Sequence, residues 1–145
     1  MTPAADPQAI LSDLADLRFG MFNHFNLGTF TDEEWAAPNQ DPALFAPSNV
    51  DCAQWAAAAV AAKMSYGVLT TEHHDGFCLW PSAHTGYTVA TSSYRHDIVG
   101  RYVTAFRAAG LKGGLYFEGP QTIPYVPTDS DHHADFTALH PRLRT

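Results

Sequence analysis

The chain has 145 residues, 46% of them hydrophobic and 16% charged, with 10 glycines and 10 prolines. This length and composition fit one small domain with a buried core and exclude wholesale disorder. A formal net charge of −7, with no basic stripe to offset it, argues against a nucleic-acid partner.

The N-terminal stretch from Met1 to Asp16 is polar and acidic. It lacks the positive start and apolar stretch of a secretory signal, so the chain as written is expected to be cytoplasmic or to have lost its leader. Within it Asp6 can cap a short helix, Pro7 suits the first helical position, and Ile10, Leu11, Leu14 and Leu17 fall on one face. Arg18 to Phe25 then reads as a buried strand ending near His24. A long loop follows from Asn26 to Asn49. Pro38, Pro42 and Pro47 forbid regular structure over much of it, and loops of this length are usually functional.

A second helix opens at Asp51, with Gln54 placed as in a capping box, and continues through the Ala-rich run from Trp55 to Met64. That segment also holds the longest apolar run, Trp55 to Ala62. It falls well short of the roughly 20 residues a membrane span needs, so no membrane partner is expected. Gly67 lies near the helix stop. Val68 to Thr71 reads as the second strand, running into Glu72-His73-His74-Asp75-Gly76-Phe77. After a second loop, Asp97 caps a third helix with Ile98, Tyr102, Ala105, Phe106 and Ala109 on its apolar face and Gly110 at its end. Gly114 to Phe117 is the third strand, closed by Glu118. Cys52 and Cys78 are too few for a disulfide framework and read as reduced packing residues.

Strands about 45 residues apart suit βαβ crossovers and a parallel sheet. Ligands of parallel α/β folds bind at the C-terminal ends of strands. There the chain places His24, then Glu72 to Asp75, then Glu118. Phe77 and Trp80 flank the central cluster, and aromatic faces beside hydrogen-bonding groups suit sugar rings or bases. Adjacent His73 and His74 would point to opposite faces of an extended strand. Both reach one ligand only if the chain bends, which Gly76 permits.

Glu34 beside Trp35 pairs a carboxylate acceptor with a stacking indole, whereas Asp32 and Glu33 read as a solvated acidic turn. A metal would need His24, His73, His74 and a carboxylate. No His-x-His or His-Glu-x-x-His spacing supports it, so neither metal nor other cofactor is expected. Asp129, Asp131, His132, His133 and Asp135 look like a metal cluster on paper but have no predicted scaffold to hold them.

Arg18 to Phe25, Thr29-Phe30-Thr31-Asp32 with Glu34-Trp35, Val68 to Ser82, and Gly110-Leu111-Lys112 leading into Leu115-Tyr116 together resemble the α-L-fucosidases of glycoside hydrolase family 29. The resemblance covers about Leu17 to Phe117, and its most specific block is His73-His74-Asp75-Gly76-Phe77 with Trp80-Pro81-Ser82. The Thr29 to Asp32 stretch is similar to the branch that favours α-1,3/1,4-linked fucose. The resemblance implies a partial (β/α)8 TIM-like barrel, about its first three strands with parallel pairing, and a retaining glycosidase acting on fucosylated glycans.

It also implies that His24, His73 and His74 hydrogen-bond fucose hydroxyls while Glu34 and Trp35 line the same pocket. The family's nucleophilic Asp, at the end of a fourth strand in a Trp-containing segment, has no counterpart, because no tryptophan follows Trp80. The general acid has none either. No catalytic residue is therefore assigned, and the chain is expected to be inactive alone. A complete barrel takes about 250 residues. Residues 1–118 read as the N-terminal portion of such a barrel and 119–145 as an irregular tail outside the resemblance. Open barrel edges predict self-association. The alternatives are a fucose-binding remnant without catalysis and, more remotely, a His-metal hydrolase.

Overall fold

The structure, a computed structural model, describes residues 15–118 together with Ser12. Most of the expected first helix and the whole 119–145 tail lie outside the described residues. Three strands, β1 (Gly20–Asn23), β2 (Tyr66–Glu72) and β3 (Lys112–Phe117), form one sheet in the order β1-β2-β3. Both pairings are parallel: Gly20 opposes Tyr66, and Tyr66 opposes Lys112. This is the expected α/β arrangement.

Two helices cover one face of the sheet. Helix α1 (Cys52–Ala61) begins where Asp51 accepts the Gln54 N–H at 2.9 Å. Helix α2 (Ile98–Ala108) begins likewise, with Asp97 accepting the Gly100 N–H at 2.9 Å. In both, a cap carboxylate satisfies an N–H that the first turn leaves without a backbone partner. Ile98, Val99, Tyr102, Val103 and Phe106 of α2 are buried. They share a core with Leu69 of β2, against which Met21, Leu115 and Phe117 pack. Ala109, expected on the apolar face, is exposed beyond the helix end. Gly67 sits inside β2 rather than at a helix stop. A Cβ there would collide with the Phe106 ring, so its lack of a side chain lets α2 approach the strand.

The opposite face of the sheet is open. β1 is not the buried strand expected from its composition, since Phe22 is 51% exposed. Alternation places Phe22 on the face away from the helices, where no described layer covers it.

The Asn26–Asn49 loop holds more order than its prolines suggest. It contains a single helical turn at Gly28–Thr31 and a 3-10 turn at Pro42–Leu44. Phe45 is fully buried. Its ring meets those of Phe25, Phe30 and Phe77 at centroid distances of 5.7, 5.0 and 5.1 Å, and Phe25 also meets Trp55 at 5.3 Å. This aromatic cluster fixes the loop against α1. No described helix is long and apolar enough to cross a membrane. Cys52 and Cys78 are free and buried, as expected.

Candidate functional site

The site is built by where the strands stop. β1 ends at Asn23, which leaves His24 at its C-terminal end. β3 ends at Phe117 and is followed by Glu118, whose N–H donates to the Glu72 carbonyl at 3.2 Å.

β2 ends less simply. Its pairing with β3 shifts between Thr70 and Glu72, so that Glu72 opposes Phe117 and lies on the core side. Glu72 is fully buried, with the Cys78 Sγ 3.4 Å from its Oε2. One inserted residue reverses the alternation after it, which is why this rim candidate points inward. The backbone then turns. The Gly76 N–H donates to the His73 carbonyl at 2.9 Å, and Gly76 adopts φ 78°. Asp75 is buried too, its Oδ1 accepting the Phe77 N–H at 2.6 Å. Burial pushes its carboxyl up to about 6, against the opposing effects of that hydrogen bond and of His74. Asp75 therefore shapes the turn that presents the histidines.

The turn brings both adjacent imidazoles to one side. His24, Glu34, Trp35, His73, His74, Tyr116 and Glu118 line one cavity of about 450 Å³. All five residues expected to touch a ligand thus converge, from three separate segments of the chain. Their rings form a connected series. Trp35 stacks on His74 at 4.3 Å and 17°, His74 meets His73 at 4.3 Å, and His73 meets His24 at 5.6 Å. His24 in turn meets Phe22 at 4.4 Å, and Phe22 meets Tyr116 at 5.5 Å.

Trp35 and Glu34 reach this mouth through the preceding turn. Asp32 takes a left-handed conformation at φ 56°, and the Glu33 N–H donates to the Gly28 carbonyl at 3.3 Å. The Glu33 carboxylate accepts from Thr31 at 3.3 Å and Gln40 at 3.1 Å. It organises the loop rather than simply facing water. Trp35 remains 63% exposed, with one face on His74.

Phe77 and Trp80, expected as ligand-facing aromatics, are instead core residues: Phe77 is fully buried and Trp80 packs on Phe117. Tyr116 was not anticipated. It lies two residues before Glu118 on the same strand face, a period-two signal the sequence does carry.

The electrostatics suit a neutral, hydroxyl-rich ligand. Burial first, then His74, hold the His73 imidazole below its ordinary value, while Glu118 opposes them. A neutral imidazole offers one donor and one acceptor. The His73 and His74 Nδ1 atoms are buried without a hydrogen-bond partner. His74 Nε2 lies 3.4 Å from Glu118 Oε2. Burial raises the Tyr116 hydroxyl, and its hydrogen bond to Glu118 raises it further. His73, His74 and Glu118 each place a ligand atom within 4.8 Å of the others, a spacing that can hold a cation. A separate groove of about 660 Å³ lies between α1 and α2, lined by Asp51, Cys52, His96 and Arg101 among others, and shares no residue with this site.

The α-L-fucosidase family profile matches residues 39–140, a span that runs past Gly119 into the 119–145 tail. A curated relative from Oryza sativa subsp. japonica is 52% identical over 99 residues, covering 66% of this chain and 19% of its own length. Alpha-L-fucosidase 1 of Arabidopsis thaliana is 42% identical over 99 residues, covering 66% of this chain and 20% of its own length. This chain thus spans about a fifth of these curated relatives.

Among solved structures, a glycoside hydrolase 29 family member from an unknown rumen bacterium superposes with a TM-score of 0.72 at 40% identity, covering 79% of this chain and 21% of that one. A GH29 α-L-fucosidase of Bacteroides thetaiotaomicron, captured as a covalent intermediate, gives 0.70 at 25% identity, covering 98% and 38%. With these likenesses, the three-strand parallel sheet fits the start of a (β/α)8 barrel. The profile match covers more than half the chain, and the chain belongs to the α-L-fucosidase family.

Proposed function

We propose that this chain forms the sugar-holding rim of a retaining α-L-fucosidase, in which His24, Glu34, Trp35, His73 and His74 contact a terminal fucose of a glycan. The observation that carries the reading is the convergence of these five residues on one cavity. Imidazoles can donate to and accept from ring hydroxyls, Glu34 accepts, and the free face of the Trp35 indole suits the apolar side of the sugar. Such hydrogen bonds strengthen as the ring distorts toward an oxocarbenium-like state.

Retaining hydrolysis needs two carboxyl groups about 5–5.5 Å apart across the scissile bond. Glu72 and Asp75 are buried away from the cavity and do not form such a pair. Glu118 is committed to His74 and Tyr116. No catalytic pair is thus assigned among the described residues, and the proposed role of the chain by itself is to hold the sugar without cleaving it.

Titration with L-fucose, followed by tryptophan fluorescence, tests binding. Trp55 and Trp80 lie outside the cavity, so the change should come from Trp35 and vanish in Trp35→Phe. No change at high millimolar fucose contradicts the binding role. Hydrolysis of an aryl fucoside by the purified chain contradicts the division between holding and cleaving.

A further inference from the structure

We infer that the same cavity binds a divalent transition cation of the zinc type through His73, His74 and Glu118, and that the cation and the sugar exclude one another. Two independent observations carry the cation site. The first is donor chemistry and spacing: two imidazoles and a carboxylate, with ligand atoms mutually within 4.8 Å. Zinc–ligand bonds of about 2.0–2.1 Å in a tetrahedron put neighbouring donors roughly 3.3 Å apart. The pair His74 Nε2 and Glu118 Oε2 already stands at 3.4 Å.

The second observation is hydrogen-bonding demand. His73 is only 7% exposed and lines the cavity, yet its Nδ1 has no partner. Buried polar atoms in this condition call for an explanation, a bound ion among them.

Glu118 is held in place for the task. Its N–H is tied to the Glu72 carbonyl at 3.2 Å, and the Tyr116 hydroxyl bonds its side chain. Three protein ligands with the remaining position open to a cavity is the pattern of an accessible zinc site rather than a closed structural one. The lack of His-x-His or His-Glu-x-x-His spacing does not exclude it. The turn at Gly76 brings adjacent histidines together, and β3 supplies the third ligand from a distant part of the chain. Exclusion of the sugar follows because the cation would use atoms of the two imidazoles assigned to the hydroxyls. That part rests on the sugar-holding reading, whereas cation binding does not.

The experiment is calorimetric titration of the full 145-residue chain with zinc sulfate, repeated in the presence of saturating L-fucose. Stoichiometry of one is expected. His74→Ala and Glu118→Gln should each weaken binding at least the 10–100-fold that loss of an outer-sphere partner commonly costs. His73→Ala should do the same, but its buried position can also disturb folding, so the other two variants, checked by circular dichroism, decide the matter.

The double variant His132→Ala/His133→Ala removes the competing cluster in the tail and should leave the affinity unchanged. No binding by the native chain, or affinity that follows the tail variant and ignores the cavity variants, overturns the site. His24→Ala separates the two readings: it should weaken fucose and spare zinc. Zinc binding unaffected by fucose would retain the site and overturn the exclusion.

Discussion

The two faces of the sheet are made from the same three strands and differ in nearly every physical respect. On one, Leu69 meets Tyr102 and Phe106 of α2 in a sealed core, with Leu115 packed against it. On the other, Phe22 is half exposed and borders the histidine cavity. The covered face supplies stability by removing apolar area from water, at about 25 cal/mol per Å². The other side keeps polar groups accessible that a packed core could not accommodate: His24, the His73–His74 pair and Glu118 at the strand ends, with Glu34 and Trp35 brought in by a loop, line the cavity that the proposed sugar role uses.

This division can be broken first on the covered side. Phe106→Ala should cost about 3–5 kcal/mol, since it deletes a fully buried ring between α2 and β2. Chemical denaturation of the variant measures it, and a loss under 1 kcal/mol would mean the helices are not the stabilising layer.

A second, smaller effect lies at the junction of the two faces. Asp75 is raised from 3.8 to about 6, so its protonated form is favoured in the fold. Its stabilising contribution is complete below about pH 4 and is lost as pH rises through 6. His73 is lowered by burial and acts in the opposite sense: its contribution is present above pH 6.5 and is lost as pH falls. Asp75→Asn keeps the acceptor for Phe77 and removes the charge. The variant should exceed the parent in stability at pH 7 by up to ~3 kcal/mol and converge with it near pH 4. Unfolding midpoints that track the parent at every pH would refute this assignment.

The open face should show the smallest stability effect. Phe22→Ser is expected to change folding stability by less than about 0.5 kcal/mol. It should, however, reduce self-association. Sedimentation of parent and variant compares the two. The basis is an exposed aromatic beside strands that have no outer neighbour among the described residues. A monomeric parent contradicts the association, and a large loss of stability contradicts the one-sided core.

Much of this was legible because local signals and topology agree. Asp51 and Asp97 announce helix starts in the sequence and cap them in the structure. The spacing of three apolar segments implied parallel strands, and parallel strands carry His24, the His73–His74 pair and Glu118 to one rim. What escaped depends on long-range geometry. The register shift that buries Glu72 arises from pairing with β3, which no local pattern reveals. Phe77 and Trp80 read as ligand-facing from their neighbours, yet the aromatic loop cluster and Phe117 claim them. Phe22 looked buried because apolar composition cannot say which layers are present to cover it.

The most direct test of the account follows the imidazole resonances of all histidines during titration with L-fucose. His24, His73 and His74 should shift together along one saturation curve, with His84 and His96 unmoved. Independent curves for the three, or shifts confined to the exposed histidines, would show that these rings do not serve one sugar.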